Sequence, residues 1–269
     1  MVFADTSLQD RFDSDGYVTL KLLEPPLVAR LLALYETTVA ADPKTDLYES
    51  SRHNTLEKNA RINIAIRDIL AEAVGGMFAD HELFGGTFMV KVPEQSTVLA
   101  LHQDWSIVDE DIHQSAFIWC PLVDTGPENG GLFALPGSHR WFENYRSGSL
   151  PSLRIVPRGA LKRAMTDLIL AAGEAVVYSD RLFHGSYANT TQQPRIVATG
   201  RINEHGAQLV YYHRMNDETV AILKASPEFY LKEIDALAKG RLPDQYDVVR
   251  TFPYTYRPIT EADLLERAG

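Results

Sequence analysis

The pattern of hydrophobic and polar positions predicts a short strand and two helices in the first part of the chain. The run GYVTLKLLEPP predicts a short strand that two prolines end. In the following run, LVARLLALYETTVAA, four leucines and a tyrosine fall on one face of a helix. Residues 59–77, NARINIAIRDILAEAVGGM, predict a second helix that ends at Gly75 and Gly76.

From Phe84 onward, short runs rich in β-branched and aromatic residues alternate with turn residues. The runs are GTFMVKVP, TVLALHQDW, SAFIWCPLV, GGLFALPG, EAVVYSD, LFHGSYAN and RIVATGRINEHG. Clusters of glycine, proline and asparagine separate them. Short strands at such regular spacing predict a sandwich or jelly roll.

Helical patterns are expected to interrupt and follow these strands. Residues 158–172 predict one amphipathic helix, and the chain after Gly206 is expected to be mostly helical, around residues 217–225 and 227–239. We therefore expect one mainly β domain with flanking helices over residues 1–269. Its jelly-roll core would span about 84–206, with helical segments at 1–83 and 207–269.

Composition narrows the class of protein. With 269 residues and 45% hydrophobic residues, the chain suits one large globular domain. Its net charge of −10 and the absence of basic runs argue against nucleic acid and anionic membranes as partners. The single cysteine, Cys120, excludes an internal disulfide, and no signal peptide or membrane-spanning run is visible. We expect a cytoplasmic protein that acts on a small molecule.

The most informative polar residues are His102, Asp104 and His184. Residues two apart on a strand share a face, so His102 and Asp104 in LALHQDW are expected to project together. Strands distant in sequence become neighbours in a jelly roll, which would bring His184 to them. Two histidines and one carboxylate form the facial triad of non-haem iron oxygenases, although Mn(II) and Zn(II) accept the same ligands. With eight histidines in the chain, a chance match to this pattern is the alternative.

Arg195 opens the strand RIVATGRI, on which it shares a face with Val197, Thr199 and Arg201. A buried guanidinium needs an anion, because an unpaired charge is costly to bury. A bound dicarboxylate such as 2-oxoglutarate would supply one, and its oxo-acid end would chelate Fe(II). A surface ion pair is the alternative for Arg195. Arg201 is expected to hold either a substrate anion or a salt bridge at the rim.

The chain resembles the phytanoyl-CoA dioxygenase family of Fe(II)/2-oxoglutarate-dependent oxygenases. The motifs that carry the resemblance are FDSDGYV, MVKVPE, LHQDW, NGGLFALPGSHR and HGSYANTTQQPR, which are spread over most of the chain. The family implies a double-stranded β-helix, cupin-like, that holds iron between two sheets. His102, Asp104 and His184 match its metal ligands, and Arg195 matches its 2-oxoglutarate-binding arginine.

The resemblance implies further roles for residues around these four. Lys91 falls where the family often has a lysine, and it would reach 2-oxoglutarate or brace the strand. Ser186 shares a face with His184 and would donate a hydrogen bond to the oxo acid. Gln103 and Trp105 flank the ligands and are candidates for substrate contact. The turn at residues 129–131 (Asn-Gly-Gly) is expected to be structural.

The resemblance implies that Fe(II), 2-oxoglutarate and O2 together oxidise an unactivated C–H bond, yielding succinate and CO2. Related halogenases lack the carboxylate, so Asp104 favours hydroxylation, with epimerisation, desaturation or cyclisation as alternatives on the same scaffold. A cupin-like metal-dependent isomerase or hydrolase and a non-catalytic binding protein are further alternatives. The fold does not name the substrate, and the sequence leaves the oligomeric state open. The tail aromatics Tyr246, Phe252, Tyr254 and Tyr256 would cap the barrel, cover the active site or form an interface.

Overall fold

The computed structural model describes residues 1–42, 45–94 and 97–268. Its helices are α1 (Thr6–Asp15), α2 (Pro25–Thr38), α3 (Ser50–His53), α4 (Leu56–Val74), α5 (Gly159–Ala164), α6 (Pro227–Ala238) and α7 (Glu261–Ala268). Its strands are β1 (Tyr17–Lys21), β2 (Leu47–Glu49), β3 (His81–Lys91), β4 (Leu99–His102), β5 (Ser115–Pro121), β6 (Leu132–Ala134), β7 (Thr166–Leu168), β8 (Glu174–Ser179), β9 (His184–Ser186), β10 (Arg195–Glu204), β11 (Val210–Arg214), β12 (Thr219–Lys224) and β13 (Val248–Pro253).

Two antiparallel sheets form the jelly roll. The major sheet has the order β1-β8-β5-β10-β3-β2, and the minor sheet has the order β4-β9-β6-β7. Side chains of both sheets share one buried cluster, in which Trp119, Val176 and Val197 of the major sheet pack with Leu132 and Leu168 of the minor sheet. The predicted fold, a mainly β jelly roll with flanking helices, is confirmed.

The outer face of the major sheet is covered by helices. Ile118 and Cys120 on β5 alternate with the inward-facing Trp119 and pack with Leu31 of α2 and Ile66 of α4. Both faces of this sheet are therefore buried at its centre, which explains why β5 and β8 are hydrophobic almost without interruption. Helix α2 confirms the helix predicted from the run LVARLLALYETTVAA, and α4 confirms the helix predicted over residues 59–77.

The predicted helix over residues 158–172 is wrong in its second half. Helix α5 ends at Ala164, and β7 then adds to the minor sheet by pairing with β6. Leu168 and Leu170 are buried while Ile169 between them is 70% exposed. This alternation of buried and exposed residues is typical of a strand. Because α5 ends only two residues before β7, the sequence pattern did not separate the helix from the strand.

The expectation of a mostly helical chain after Gly206 is also wrong. Strands β11, β12 and β13 form a separate three-stranded sheet, and the predicted helix at 217–225 is the strand β12. Residues 220–223 of β12 are all buried, and such a run reads the same in a buried strand and a buried helix. Helix α6 confirms the prediction for residues 227–239. Strands lie beyond residues 84–206 on both sides, because β1 and β2 join the major sheet before this range and β11 to β13 follow it.

Aromatic residues of the tail lie against the three-stranded sheet. Phe252 and Tyr254 of the tail pack with Tyr145 and with the buried face of the three-stranded sheet. Within the described residues, no helix combines the length and the apolar composition that crossing a membrane requires.

Candidate metal centre and cavity

Pairing of β4 with β9 brings two histidines together. His102 and His184 are direct partners in the antiparallel register, and their ring centroids lie 4.5 Å apart. The register shifts between Leu99 and His102, so a local irregularity in β4 sets which side chains face the neighbouring strand. Both histidines are buried, with 8% and 3% of their surface exposed.

Asp104 completes a group of three candidate ligands. It lies two residues past the end of β4, and the ligand atoms of His102, Asp104 and His184 all lie within 4.8 Å of one another. His102 Nε2 is 3.8 Å from Asp104 Oδ1. The structure therefore gathers the three residues as the strand spacing predicts.

Backbone contacts orient both imidazoles. The Nδ1 of His102 lies 2.8 Å from the carbonyl oxygen of Ala100, and the Nδ1 of His184 lies 3.0 Å from that of Leu182. When each Nδ1 donates to its carbonyl, Nε2 carries the free lone pair that a metal needs. Burial and the nearby His184 lower the pKa of His102 to about 4, which keeps its ring neutral and able to bind a metal.

The second oxygen of Asp104 is held by two neighbours. Tyr178 donates its hydroxyl to Oδ2 at 3.4 Å, and Nη2 of Arg201 lies 3.5 Å from the same oxygen. Burial raises the pKa of Asp104, but His184 and Arg201 outweigh burial, and the net pKa is lowered. Asp104 is therefore a carboxylate whose Oδ1 faces the histidines and whose Oδ2 is occupied.

Arg201 has carboxylate partners on both sides. Its Nη1 contacts Asp180 Oδ1 at 2.5 Å, and Asp180 also accepts a hydrogen bond of 2.6 Å from Ser115. Its guanidinium lies 4.8 Å from the centroid of the Phe117 ring. This is the salt-bridge alternative for Arg201, more deeply placed than a rim position. Arg201 also lines the cavity, and its contact with a substrate stays a prediction.

Arg195 is buried without a carboxylate partner among the described residues. Only 1% of its surface is exposed, its guanidinium stacks 5.4 Å from the Trp119 ring, and its Nε and Nη2 have no hydrogen-bond partner. Burial lowers its pKa to about 9. A buried cation with two unsatisfied donors has the chemistry of a site for a bound anion.

Lys91 lies directly opposite Arg195 in the pairing of β3 with β10. Its Nζ donates to the backbone carbonyls of Thr97, Ser186 and Tyr187. Its aliphatic stem fills the space beside Gly130, where a Cβ would come within 2.8 Å of it. Lys91 thus braces β9 and the 129–131 turn, the second of the two roles open for it. Burial and Arg195 together lower its pKa to about 7.

The other predicted contact residues all border the cavity. Ser186 is buried on β9 and pairs with Leu99 across the minor sheet. Gln103 donates a hydrogen bond of 2.6 Å to the Arg181 carbonyl, which ties its amide to the protein. Trp105 packs edge-on against Tyr211. Gln103 and Trp105 therefore have structural contacts of their own.

The candidate metal centre lies in a cavity of about 370 Å³. This volume is large enough for a small molecule. Its walls come from both sheets, from α3, from the segment that holds Arg154 and from one face of α6. The residues of α6 that line it are Pro227, Tyr230, Leu231, Ile234 and Ala238.

Sequence reasoning missed several residues of this site. Asp180 follows β8 and Arg201 lies on β10, and the strand order that brings them together is not encoded in local spacing. Trp119 reads as one more hydrophobic residue of β5. The available signal for Asp180 was an acidic residue four positions before His184, and the available signal for Trp119 was the alternation of side chains along a strand.

Comparisons with known proteins agree with this geometry. The phytanoyl-CoA dioxygenase (PhyH) family matches residues 12–197, which is more than half of the chain. A stretch of 89 residues is 32% identical to ectoine dioxygenase of Nocardia farcinica, and the match covers 28% of this chain and 30% of that protein.

Two crystal structures share the fold. The epimerase SnoN, in complex with Fe3+, alpha ketoglutarate and nogalamycin RO, superposes with a TM-score of 0.56 at 21% identity, over 76% of this chain and 86% of SnoN. EvdO2 from Micromonospora carbonacea var. aurantiaca, complexed with 2-oxoglutarate, gives a TM-score of 0.52 at 21% identity, over 74% and 91% of the two chains. With the family match over both strands of the candidate centre, the chain belongs to the phytanoyl-CoA dioxygenase family of iron- and 2-oxoglutarate-dependent oxygenases.

Proposed function

We propose that the protein oxidises an unactivated C–H bond of a small-molecule metabolite or natural-product intermediate by hydroxylation, releasing succinate and CO2. The observation that carries the proposal is Arg195, a buried guanidinium without a carboxylate partner among the described residues, on the same cavity as His102, Asp104 and His184. A redox-inactive isomerase or hydrolase would use the three ligands but would leave Arg195 without a partner.

The residues present fit both iron and 2-oxoglutarate. Two imidazoles and one carboxylate form a donor set without sulfur, which suits Fe(II). The Arg195 guanidinium matches the planar geometry of a carboxylate, and Trp119 beneath it keeps water from that side. SnoN and EvdO2, which share the fold, were crystallised with the same oxo acid.

Each residue has a distinct task in the proposed reaction. His102 and His184 would present Nε2 to the metal, and Asp104 would present Oδ1 while Tyr178 and Arg201 hold its other oxygen. Arg195 would orient 2-oxoglutarate through its distal carboxylate. When bound, the iron supplies the oxidising power by activating dioxygen at the expense of 2-oxoglutarate. Fixed positions of this kind lower the cost of ordering the reactants.

The finer outcome depends on the substrate. Epimerisation, desaturation and cyclisation would use the same ligands and the same co-substrate, whereas halogenation would need a chloride in place of the carboxylate that Asp104 would supply. Mass spectrometry of the product distinguishes these outcomes, since hydroxylation adds one oxygen atom, desaturation and cyclisation remove two hydrogen atoms, and epimerisation leaves the mass unchanged.

An anaerobic titration with Fe(II) and 2-oxoglutarate tests the proposal. We expect a weak visible absorption band from the chelate in the wild-type protein and its loss in His184→Ala. The matched control is His205→Ala, because His205 is a highly exposed histidine, on the 204–207 turn. Succinate release on addition of candidate substrates, measured with a coupled assay, then identifies the substrate. An identical band in His184→Ala and the wild type would remove His184 from the metal site.

A further inference from the structure

One of the arginines that line the cavity has neither an ion-pair partner among the described residues nor a proposed ligand. Among the described residues, four arginines line the cavity, and three of them have partners or a proposed ligand. Arg201 pairs with Asp104 and Asp180, Arg52 lies 3.5 Å from a carboxylate oxygen of Glu49, and Arg195 has the proposed 2-oxoglutarate. The fourth arginine, Arg154, has no ion pair or hydrogen bond with any residue that the structure describes.

The backbone places Arg154 beside the metal centre. Leu101 donates a backbone hydrogen bond of 2.8 Å to Ile155, and the two residues form an antiparallel bridge. One step along each chain from this bridge brings Arg154 next to His102. The positive charge of Arg154 is accordingly one of the causes that lower the pKa of His102, after burial and His184.

Packing of its neighbours directs Arg154 towards the cavity. Leu153 and Ile155 pack with the apolar cluster that contains Leu101 and Phe133. Successive side chains in an extended segment point to opposite sides, so Arg154 takes the side that borders the cavity. Its exposed side chain is accessible to a molecule that enters.

An apolar wall lies in the same cavity. The residues that α6 contributes are spaced three or four apart and form one face of the helix, and Leu231 and Ile234 on it are only partly buried. Burial of apolar surface against this wall would stabilise a bound hydrocarbon group. With 2-oxoglutarate on Arg195, the described part of the cavity would offer one unpaired arginine, Arg154, and an apolar surface to a substrate.

We propose that Arg154 binds the carboxylate of the substrate, an apolar monocarboxylic acid whose hydrocarbon part packs against α6. The proposal rests on the proposed function, because 2-oxoglutarate must occupy Arg195 for Arg154 to be the remaining cation. A guanidinium binds a carboxylate through two parallel hydrogen bonds. A single arginine suits the single charge of a carboxylate, whereas a phosphate monoester carries nearly two charges.

Calorimetry on the anaerobic enzyme, loaded with Fe(II) and saturated with 2-oxoglutarate, tests this proposal. The probes are hexanoate and octanoate, each compared with its neutral amide, which has the same shape and no charge. We expect the wild-type protein to bind each carboxylate about tenfold more tightly than its amide, the size expected for a charge-assisted pair near solvent. Arg154→Gln should bind acid and amide equally.

Arg158→Gln is the matched control, because Arg158 is an exposed arginine four residues away that does not line the cavity. It should keep the wild-type preference for the carboxylate. A wild-type protein without the preference, or an Arg154→Gln variant that retains it, would overturn the proposal.

The same titrations separate this proposal from the proposed function. If 2-oxoglutarate fails to bind the Fe(II)-loaded wild-type protein, the proposed function itself is wrong. If 2-oxoglutarate binds the wild type and Arg154→Gln with equal affinity and neither distinguishes acid from amide, only the role of Arg154 is wrong.

Discussion

The two ends of strand β10 carry arginines in opposite electrostatic surroundings. At the first end, Arg195 lies opposite Lys91, and neither has a carboxylate within ion-pair distance among the described residues. Towards the other end, Arg201 lies between two carboxylates, Asp104 and Asp180. Both arginines line the same cavity and stack on an aromatic ring of β5.

The difference shows that residue type and strand position do not fix the task of a buried charge. Arg201 is neutralised by the protein itself and holds a candidate metal ligand in place. Arg195 and Lys91 face each other without a carboxylate partner among the described residues, and a buried unpaired charge is costly until an anion arrives. We therefore propose the unpaired end as an anion-binding site, whereas the paired end holds Asp104 and Asp180 in place.

The largest effect is expected from Asp104→Ala, which removes a candidate ligand and one partner of Arg201. Substrate-dependent succinate release should fall to background, because two imidazoles alone hold the metal weakly. Arg201 keeps Asp180, so the variant should remain folded. The matched control is Asp68→Ala, which changes an exposed aspartate on α4. Equal succinate release by the variant and the wild type would exclude Asp104 from the centre.

Replacement of the paired arginine should chiefly reduce stability. In Arg201→Leu, the buried carboxylate of Asp180 and the half-buried carboxylate of Asp104 lose their cation, and the free energy of unfolding should fall by about 3–5 kcal/mol. Urea unfolding measures this change. Adding Asp180→Asn should restore part of the loss, because one buried charge is then removed. An unchanged stability in Arg201→Leu would show that the pair is not formed in solution.

Replacement of the unpaired arginine should chiefly weaken binding of the co-substrate. Arg195→Leu should raise the apparent KM for 2-oxoglutarate about 100-fold, as expected for a lost charged hydrogen-bond pair of about 2–3 kcal/mol. The apparent KM for iron and the free energy of unfolding should change little, because no carboxylate among the described residues loses an ion-pair partner when Arg195 is replaced. A drop in stability as large as that of Arg201→Leu would contradict the comparison.

The smallest effect concerns the pH dependence of stability. The pKa of Lys91 is lowered to about 7 in the folded protein, so the unfolded chain binds an extra proton above that pH. Stability should therefore rise with pH from about 7 to about 9, by at most about 1.4 kcal/mol per pH unit from this group. Lys91→Met should remove that part of the rise. A steeper rise in the variant than in the wild type would refute the assignment.

The sequence predicts the centre better than its surroundings. His102 and Asp104 follow from the two-residue period of a strand, and Arg195 stands out because no acid lies near it in sequence. Asp180 and Arg201 meet only through the order β8-β5-β10, which local pattern does not reveal. Likewise β12 is buried on all sides, so its hydrophobic run carries no period that separates strand from helix.

The apolar wall was the least predictable part of the site. The helical period of residues 227–239 predicts α6 itself, but not which cavity its apolar face would line. That placement depends on the three-stranded sheet that precedes and follows α6, and the sequence pattern for this sheet favoured helices.

Helix α6 lies beyond residue 197, where the family match ends, while the three candidate ligands and Arg195 lie within it. The candidate metal ligands, Arg195 and Arg154 thus belong to one portion of the polypeptide, and the proposed apolar wall for the substrate belongs to the portion that follows it. Exchange of the portion after β10 between relatives should change which substrate is bound. Such exchanges would leave the candidate metal ligands and Arg195 unchanged.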